Sequence, residues 1–517
     1  MIRIKKGKIK HLLTTMVAFS FILAACGSAE QVEDSEPGTI NNRDELIVGF
    51  PGNPAQIDLH AANDVPSRQI FSHVFETLVI QDENQNILPG LATSWNRISD
   101  NVWQFTIREG VIFHNGEPLT AYDVAFSIKR VAASPILSPI FGMFDADLIE
   151  VVDDYTINIG TTDPFGPTLA HLAHQSAAIL SEDAVGDTSI HDTTLEQLIG
   201  TGPYTVVELN FDEYIILERF DDFHGDRPNI RQITFRIMTD PNARTFALEV
   251  GDVDVILNIA PSDVANLTAD PSIHVQSVAS PGIEFMGMNF NHPYLGIREV
   301  RQAINYALNT EEIVEVSTEG TAEPLTTFVA PSVFGFSPDA DTYEFNLERA
   351  QELMDEAGVD GFDMDIIINS GSAPRLMAAE IIQNQLQAIG ISVSIYQLEW
   401  ATYLAVRDDN DFDAYIGGWS NPAGDADNGL VSILHSEAAD IQMNSDELDA
   451  LLMAGRRSID EAERLEIYRE VLQYLHDAAP FVLLGNTIHF VATGENVRGI
   501  TSMPTNVQFF GSAYFVD

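Results

Sequence analysis

A chain of 517 residues, 45% of them hydrophobic, is long enough for two or three packed cores and too apolar for a disordered polymer. Its 77 acidic residues against 26 basic ones give a formal net charge of −51, which excludes a nucleic-acid partner because phosphate binding needs a basic face. Cys26 is the only cysteine, so no disulfide can form within the chain.

The N-terminus, MIRIKKGKIKHLLTTMVAFSFILAAC, has a basic head, an apolar stretch from Met16 to Ala25, and Leu23-Ala24-Ala25 before Cys26. This is the pattern of a lipoprotein signal over residues 1–25, with Cys26 diacylated as the mature N-terminus; an ordinary signal peptide or an uncleaved anchor are the alternatives. Two acyl chains suffice for stable membrane attachment. Residues 26–43 are polar and unpatterned and read as a flexible tether. Removing the five basic residues of positions 1–25 leaves 21 basic against 77 acidic residues, a net charge of −56, with Lys129 the only lysine. Such a surface suits high salt, which screens self-repulsion, or alkaline medium, where arginine stays charged and lysine does not. Both place the folded part outside the cytoplasm, on the outer face of the cell membrane.

ELIVGF, Glu45 to Phe50, reads as a strand leading into the polar loop PGNPAQIDLH. A helix from about Pro66 to Thr77 is predicted, with Asp64 as N-cap and Ile70, Phe71, Val74 and Phe75 inward. Ala92 to Asn96 and Val102 to Arg108 flank the turn Ser99-Asp100-Asn101 as a hairpin carrying Trp95, Trp103 and Phe105. Thr120-Ala121-Tyr122-Asp123 resembles a capping box before a helix with Val124, Ile128 and Val131 on its apolar face. A second hairpin spans Ile149 to Ile159, and a helical segment runs from near Pro167 to Ala173. His171 and His174 share one face of it, a pair too small for a metal site and read as structural.

GTGPYTVVELNFDEYIILERF gives a turn and two strands; ITFRIMTDPNARTFALEVGDVDVIL gives strand, helix and strand, with Asp240 as cap and Gly251 as stop. FMGMNFN then leads into a helix burying Val300, Ile304 and Leu308. Beyond it come helix Leu347 to Ala357, strand Phe362 to Ile368, helix Pro374 to Ile389, strand Ile391 to Leu398, a helix around Trp400 to Arg407 and strand Asp413 to Ile416. Alternation of this length predicts an α/β fold with a mixed or parallel sheet covered by helices. Amphipathic helices from Ser445 to Gly455 and Asp460 to Asp477 precede Pro480.

The order and spacing of LATSW, W-x-F-x-I-R-E-G-V-x-F-H-N-G, P-L-T-A-Y-D-V and F-S-x-x-R between Leu91 and Arg130 resemble family 5 of the bacterial extracellular solute-binding proteins, which deliver peptides, and in some members nickel, to ABC importers. The resemblance implies a two-lobed, type II periplasmic-binding-protein-like fold with an extra α+β subdomain. Its first lobe would comprise residues 44–59, 200–283 and 485–517, the extra subdomain 60–199 and the second lobe 284–484, with crossings near Ile283 to Asn291 and Pro480 to Asn486. It also implies that the loop from Asn53 to Asp58 faces the cleft.

GGWSNPAGDADNG, from Gly417 to Gly429, leaves a buried strand and offers exposed backbone, an indole, a hydroxyl and two carboxylates, groups able to hold a peptide. Arg375, at the start of a helix, adds a guanidinium to unpaired first-turn amides and reads as an anion seat. The expected ligand-binding residues are therefore Asn53, Gln56, Ser370, Arg375, Gly418, Trp419, Ser420, Asp425 and Asp427. Dipeptide-binding members carry an aspartate three residues after the tryptophan, where this chain has Pro422; GWS-x-x-x-GDADNGL resembles a glutathione-binding subgroup, but the loop after Ser436 lacks an Asn-Arg associated with it.

The expected function is capture of peptides (glutathione, di- or oligopeptides) by a lipid-anchored monomer that works with importer permease subunits, without cofactor, metal or catalysis. A nickel chelate is the alternative cargo, although the 13 histidines are scattered. An extracellular hydrolase is the alternative class; the chain has no G-x-S-x-G, H-E-x-x-H or C-x-x-C. A signalling receptor would use the same fold.

Overall fold

Strands with two apolar faces belong inside sheets covered on both sides, and the chain builds two such sheets. The computed structural model describes residues 43–62, 64–436 and 441–517. The signal, Cys26 and the tether up to residue 42 lie outside the described residues.

The first sheet has the order Ile273–Ala279, Gly485–Gly494, Val255–Leu257, Glu45–Phe50, Gln232–Ile237, Tyr214–Arg219, Tyr204–Asn210. Glu45–Phe50 pairs in parallel with strands on both sides, and the remaining pairings are antiparallel. Its Leu46, Val48 and Phe50 are fully buried, as the apolar run ELIVGF requires of a central strand.

The second sheet runs Ile391–Leu398, Phe362–Asn369, Ala414–Trp419, Ile283–Met288, Phe481–Leu483. Strand periodicity splits Ile283–Met288 between two cores. Met286 and Met288 meet Val300, Ile304, Leu353 and Ile382, whereas Ile283 and Phe285 meet Leu430, Leu452, Tyr468 and Leu472. Helices therefore cover both faces.

A third, antiparallel sheet, Ala92–Ser99, Val102–Ile107, Thr156–Gly160 and Glu150–Asp153, has its own core under the helix Ala121–Ala132. Thr120 and Asp123 form the expected capping box, and Val124, Ile128 and Val131 are buried. The helix expected over Pro66 to Thr77 ends sooner, spanning Val65–Phe71. The carbonyls of His73 and Val74 accept instead from the amides of Tyr204 and Gly202, at 3.1 and 2.9 Å. This explains the glycines of GTGPY: a Cβ on Gly200 would lie 2.0 Å from the Val74 carbonyl oxygen.

The chain passes between the two large sheets at Ser280 to Gly282 and again at Leu484, and the crossings are tied together. Asn486 Nδ2 donates to the carbonyls of Ser280 (2.7 Å) and Gly282 (2.6 Å), and the Ser280 and Thr487 hydroxyls are 2.7 Å apart. The short strand Ala322–Pro324 adds to the second crossing by pairing with Gly485 to Thr487. Two lobes joined by adjacent, hydrogen-bonded crossings result. Away from them the antiparallel subdomain touches the second large sheet's helical layer, where Gly166 N donates to the Arg456 carbonyl at 2.9 Å.

Candidate ligand-binding site

Beside the crossings lies a cavity of about 310 Å³, walled by Ser280 to Glu284, Arg375, Gly418 to Ser420, Thr487, His489 and the Pro504 to Asn506 loop. Both lobes thus contribute.

Strand register sets its second-lobe wall. Ile283 lies opposite Trp419 and Glu284 opposite Gly418. A Cβ at Gly418 would sit 2.3 Å from Glu284 Oε1 and 2.7 Å from the Ile283 carbonyl oxygen, so only glycine lets the Glu284 side chain lie across the strand. Glu284 reaches Arg375, in the first turn of the helix Ala373–Leu386 capped by Ser372. Arg375 Nε and Nη2 donate to Glu284 Oε2 and Oε1 at 2.8 and 2.7 Å, and Nη1 donates to Asn369 Oδ1 at 2.6 Å. Burial opposes the guanidinium charge, but hydrogen bonding and attraction from Glu284 outweigh it and hold Arg375 above its ordinary range. Three of its five N–H groups are used, leaving donors for a ligand.

The first-lobe wall brings His489, whose burial pushes it down to about 4, so it is neutral near pH 7. With Arg375 and Glu284 cancelling, the cavity wall is close to neutral in a molecule of net charge −51.

Of the sequence-derived site residues, Arg375, Gly418, Trp419 and Ser420 meet in this cavity, together with Pro422. Five others do not line it. Asn53 exchanges hydrogen bonds with Asp212 (2.5 and 2.9 Å) on an exposed turn. Gln56 is tied through its amide to Ser67 Oγ at 3.1 Å, and Ser370, also exposed, through its amide to the Leu398 carbonyl at 2.6 Å.

Asp425 and Asp427 are internal. GDADNG, expected to offer its carboxylates to a peptide, instead starts the helix Ala426–Leu434, with Asp425 as its N-cap. Asp425 Oδ1 accepts from Arg464 Nη2 at 2.7 Å, both side chains about 5% exposed or less. Asp427 accepts from Nε and Nη2 of Arg456 at 2.9 to 3.2 Å. These carboxylates hold helices together and are committed before any ligand arrives. The site's other acid, Glu284, was missed; its only sequence signal is a carboxylate inside the apolar strand IEFMGM.

Trp419 Nε1 and Asn421 Oδ1 are buried without a hydrogen-bond partner among the described residues. They flank a void of about 10 Å³, the size of one water.

His171 and His174 are structural, as expected. His171 Nδ1 lies 2.6 Å from the Ile140 carbonyl oxygen, and burial holds both rings below the usual imidazole range. Among the described residues no three His, Cys, Asp or Glu side chains are grouped to hold a metal ion.

Two α/β lobes hinged by paired crossings over a cavity to which both contribute define the type II class of solute-binding proteins. Residues 86–440 match the profile described as bacterial extracellular solute-binding proteins, family 5 Middle, and the chain belongs to that family. It is 27% identical to the dipeptide-binding protein of Escherichia coli (strain K12), with 89% of this chain and 91% of that one aligned. It is 26% identical to heme-binding protein A of Haemophilus influenzae, over 97% and 98%. HbpA2 from Haemophilus parasuis superposes with a TM-score of 0.83 at 25% identity, covering 91% of this chain and 99% of that one. Family and fold are those of non-catalytic substrate-binding proteins that serve ABC importers from the periplasm or cell exterior.

Proposed function

We propose that the protein is a lipid-anchored peptide receptor, attached through Cys26 and acting as a monomer. Its first lobe (44–59, 200–283, 485–517, with 60–199 as subdomain) and second lobe (284–484) close over the ligand and present it to importer permease subunits. The observation that carries this reading is the Arg375–Glu284 pair beside Trp419 at the crossings. A guanidinium with spare donors suits a carboxylate, a carboxylate with spare lone pairs suits an ammonium, and the indole face and Ser420 suit the groups between them. Micromolar affinity needs about 8 kcal/mol net, within reach of a ligand buried on both sides. Glutathione, dipeptides and oligopeptides all present this chemistry.

The scattered histidines and the missing ligand cluster among the described residues disfavour a bare nickel ion. Calorimetric titration of the chain from Gly27 with reduced and oxidised glutathione, dipeptides, a tetra- to hexapeptide pool and nickel tests the proposal. Saturable heat with at least one peptide class supports it; heat with nickel alone, or with none of them, overturns it.

A further inference from the structure

Pro504 and Thr505 line two cavities at once. One face bounds the cleft just described, and the other bounds a second cavity of about 450 Å³ between the antiparallel subdomain and the C-terminal segment. Its wall gathers Phe75, Phe223, Met503 and Val507 with three large apolar side chains that stay open to solvent: Ile80 (44%), Leu88 (40%) and Phe509 (45%). Exposed apolar groups scattered singly need no explanation, but three converging on one concave surface mark a binding surface. The charged side chains in this wall are Glu76, Asp82 and Glu83, all acids. A carboxylate is therefore unwelcome there, and a neutral or cationic group is not.

The same wall contains Gln81 and Gln85, which reach across to the second lobe. Gln81 Nε2 donates to the Ala423 carbonyl at 3.1 Å, and Gln85 Nε2 to the Ser332 carbonyl. An occupant of the second cavity thus lies against residues that hold the lobes together, with Pro504 and Thr505 between it and the cleft.

From this shared boundary we infer that the ligand site extends past Pro504 and Thr505, and that the protein's preferred cargo is a peptide with a bulky apolar side chain seated in the second cavity. The inference rests on the peptide reading of the cleft. Burying a phenylalanine side chain in place of an alanine methyl there raises affinity on the order of ten- to a hundred-fold. A glutamate sent to the same place lowers it.

The test is calorimetry on the lipidated chain from Cys26 in lipid nanodiscs with trialanine, the three tripeptides that carry one phenylalanine and the three that carry one glutamate. The expected result is that at least one phenylalanine peptide binds about tenfold or more tighter than trialanine, that its glutamate counterpart binds more weakly than trialanine, and that Leu88→Asp removes the phenylalanine gain. Ile80→Asp, on the same wall, supplies a second variant should the first fail to fold. If every phenylalanine peptide merely matches trialanine, or the gain survives in folded variants, the extension is overturned while the cleft stands. If none of the seven peptides binds although glutathione, a dipeptide or the longer pool does, the extension is overturned and the cleft stands; if none of those binds either, the peptide reading itself has failed.

Discussion

Arg375 and Glu284 form a fork-to-fork pair, 2.8 and 2.7 Å, across the floor of the inter-lobe cavity. Because the pair is internally neutral, a dipolar ligand can exchange into it without importing net charge into a molecule of net charge −51. Arg375→Ala should weaken peptide binding roughly tenfold or more, since it removes the guanidinium and leaves Glu284 unpaired. Arg375→Lys, which keeps the charge but not the fork, should fall between wild type and alanine in calorimetry.

Asp425 and Asp427 predict the opposite behaviour. Asp425→Ala leaves Arg464 buried without its counter-charge and should cost about 3–5 kcal/mol in urea unfolding. Arg456, partner of Asp427, is 27% exposed, so Asp427→Ala should cost less. Peptide affinity of either folded variant should change by less than about threefold. A large loss of affinity without loss of stability would return these carboxylates to the ligand.

Acid should destabilise the protein through imidazoles that folding withdraws, wholly or in part, from water. Burial lowers His60, His73, His114 and His489 to about 4 each. The unfolded chain, with histidines near 6.5, then binds more protons than the folded one between those values. Their contribution is full above pH 6.5 or so and is lost as pH falls through about 4, at roughly 1.4 kcal/mol per unit of separation for each group. Urea midpoints measured from pH 7 to 4.5 should fall steadily; a flat profile contradicts the assignment.

Salt should act on the whole surface. Raising sodium chloride from about 0.05 to 0.5 M shortens the screening length several-fold and relieves repulsion among 77 acidic side chains. The thermal midpoint should rise by several degrees. A midpoint that falls with salt would show that ion pairs such as Arg231 with Asp44, Glu45 and Glu218 outweigh that repulsion.

What the sequence displayed was local. The strand Ile391–Leu398 has the expected limits, and Thr120 with Asp123 makes the expected box, because alternation and capping are written within a few residues. Asp425 shows the limit of such reading. Its glycine- and aspartate-rich surroundings look like a ligand loop, and the two arginines that claim Asp425 and Asp427 lie 39 and 29 residues away on other helices. Arg375 was found because a cation in a first helical turn opposes the macrodipole and asks for a reason. Its partner Glu284 is 91 residues earlier, and only the register that sets Glu284 against Gly418 brings them together.

The most direct test of the account is hydrogen exchange of the protein with and without a saturating peptide from the calorimetric panel. Amides of Gly282 to Glu284, Gly418 to Ser420, Thr487 and His489, which wall the cleft from both lobes, should slow together. Protection confined to the loop at Asn53, or no protection at these three segments, would contradict the placement of the ligand between the lobes.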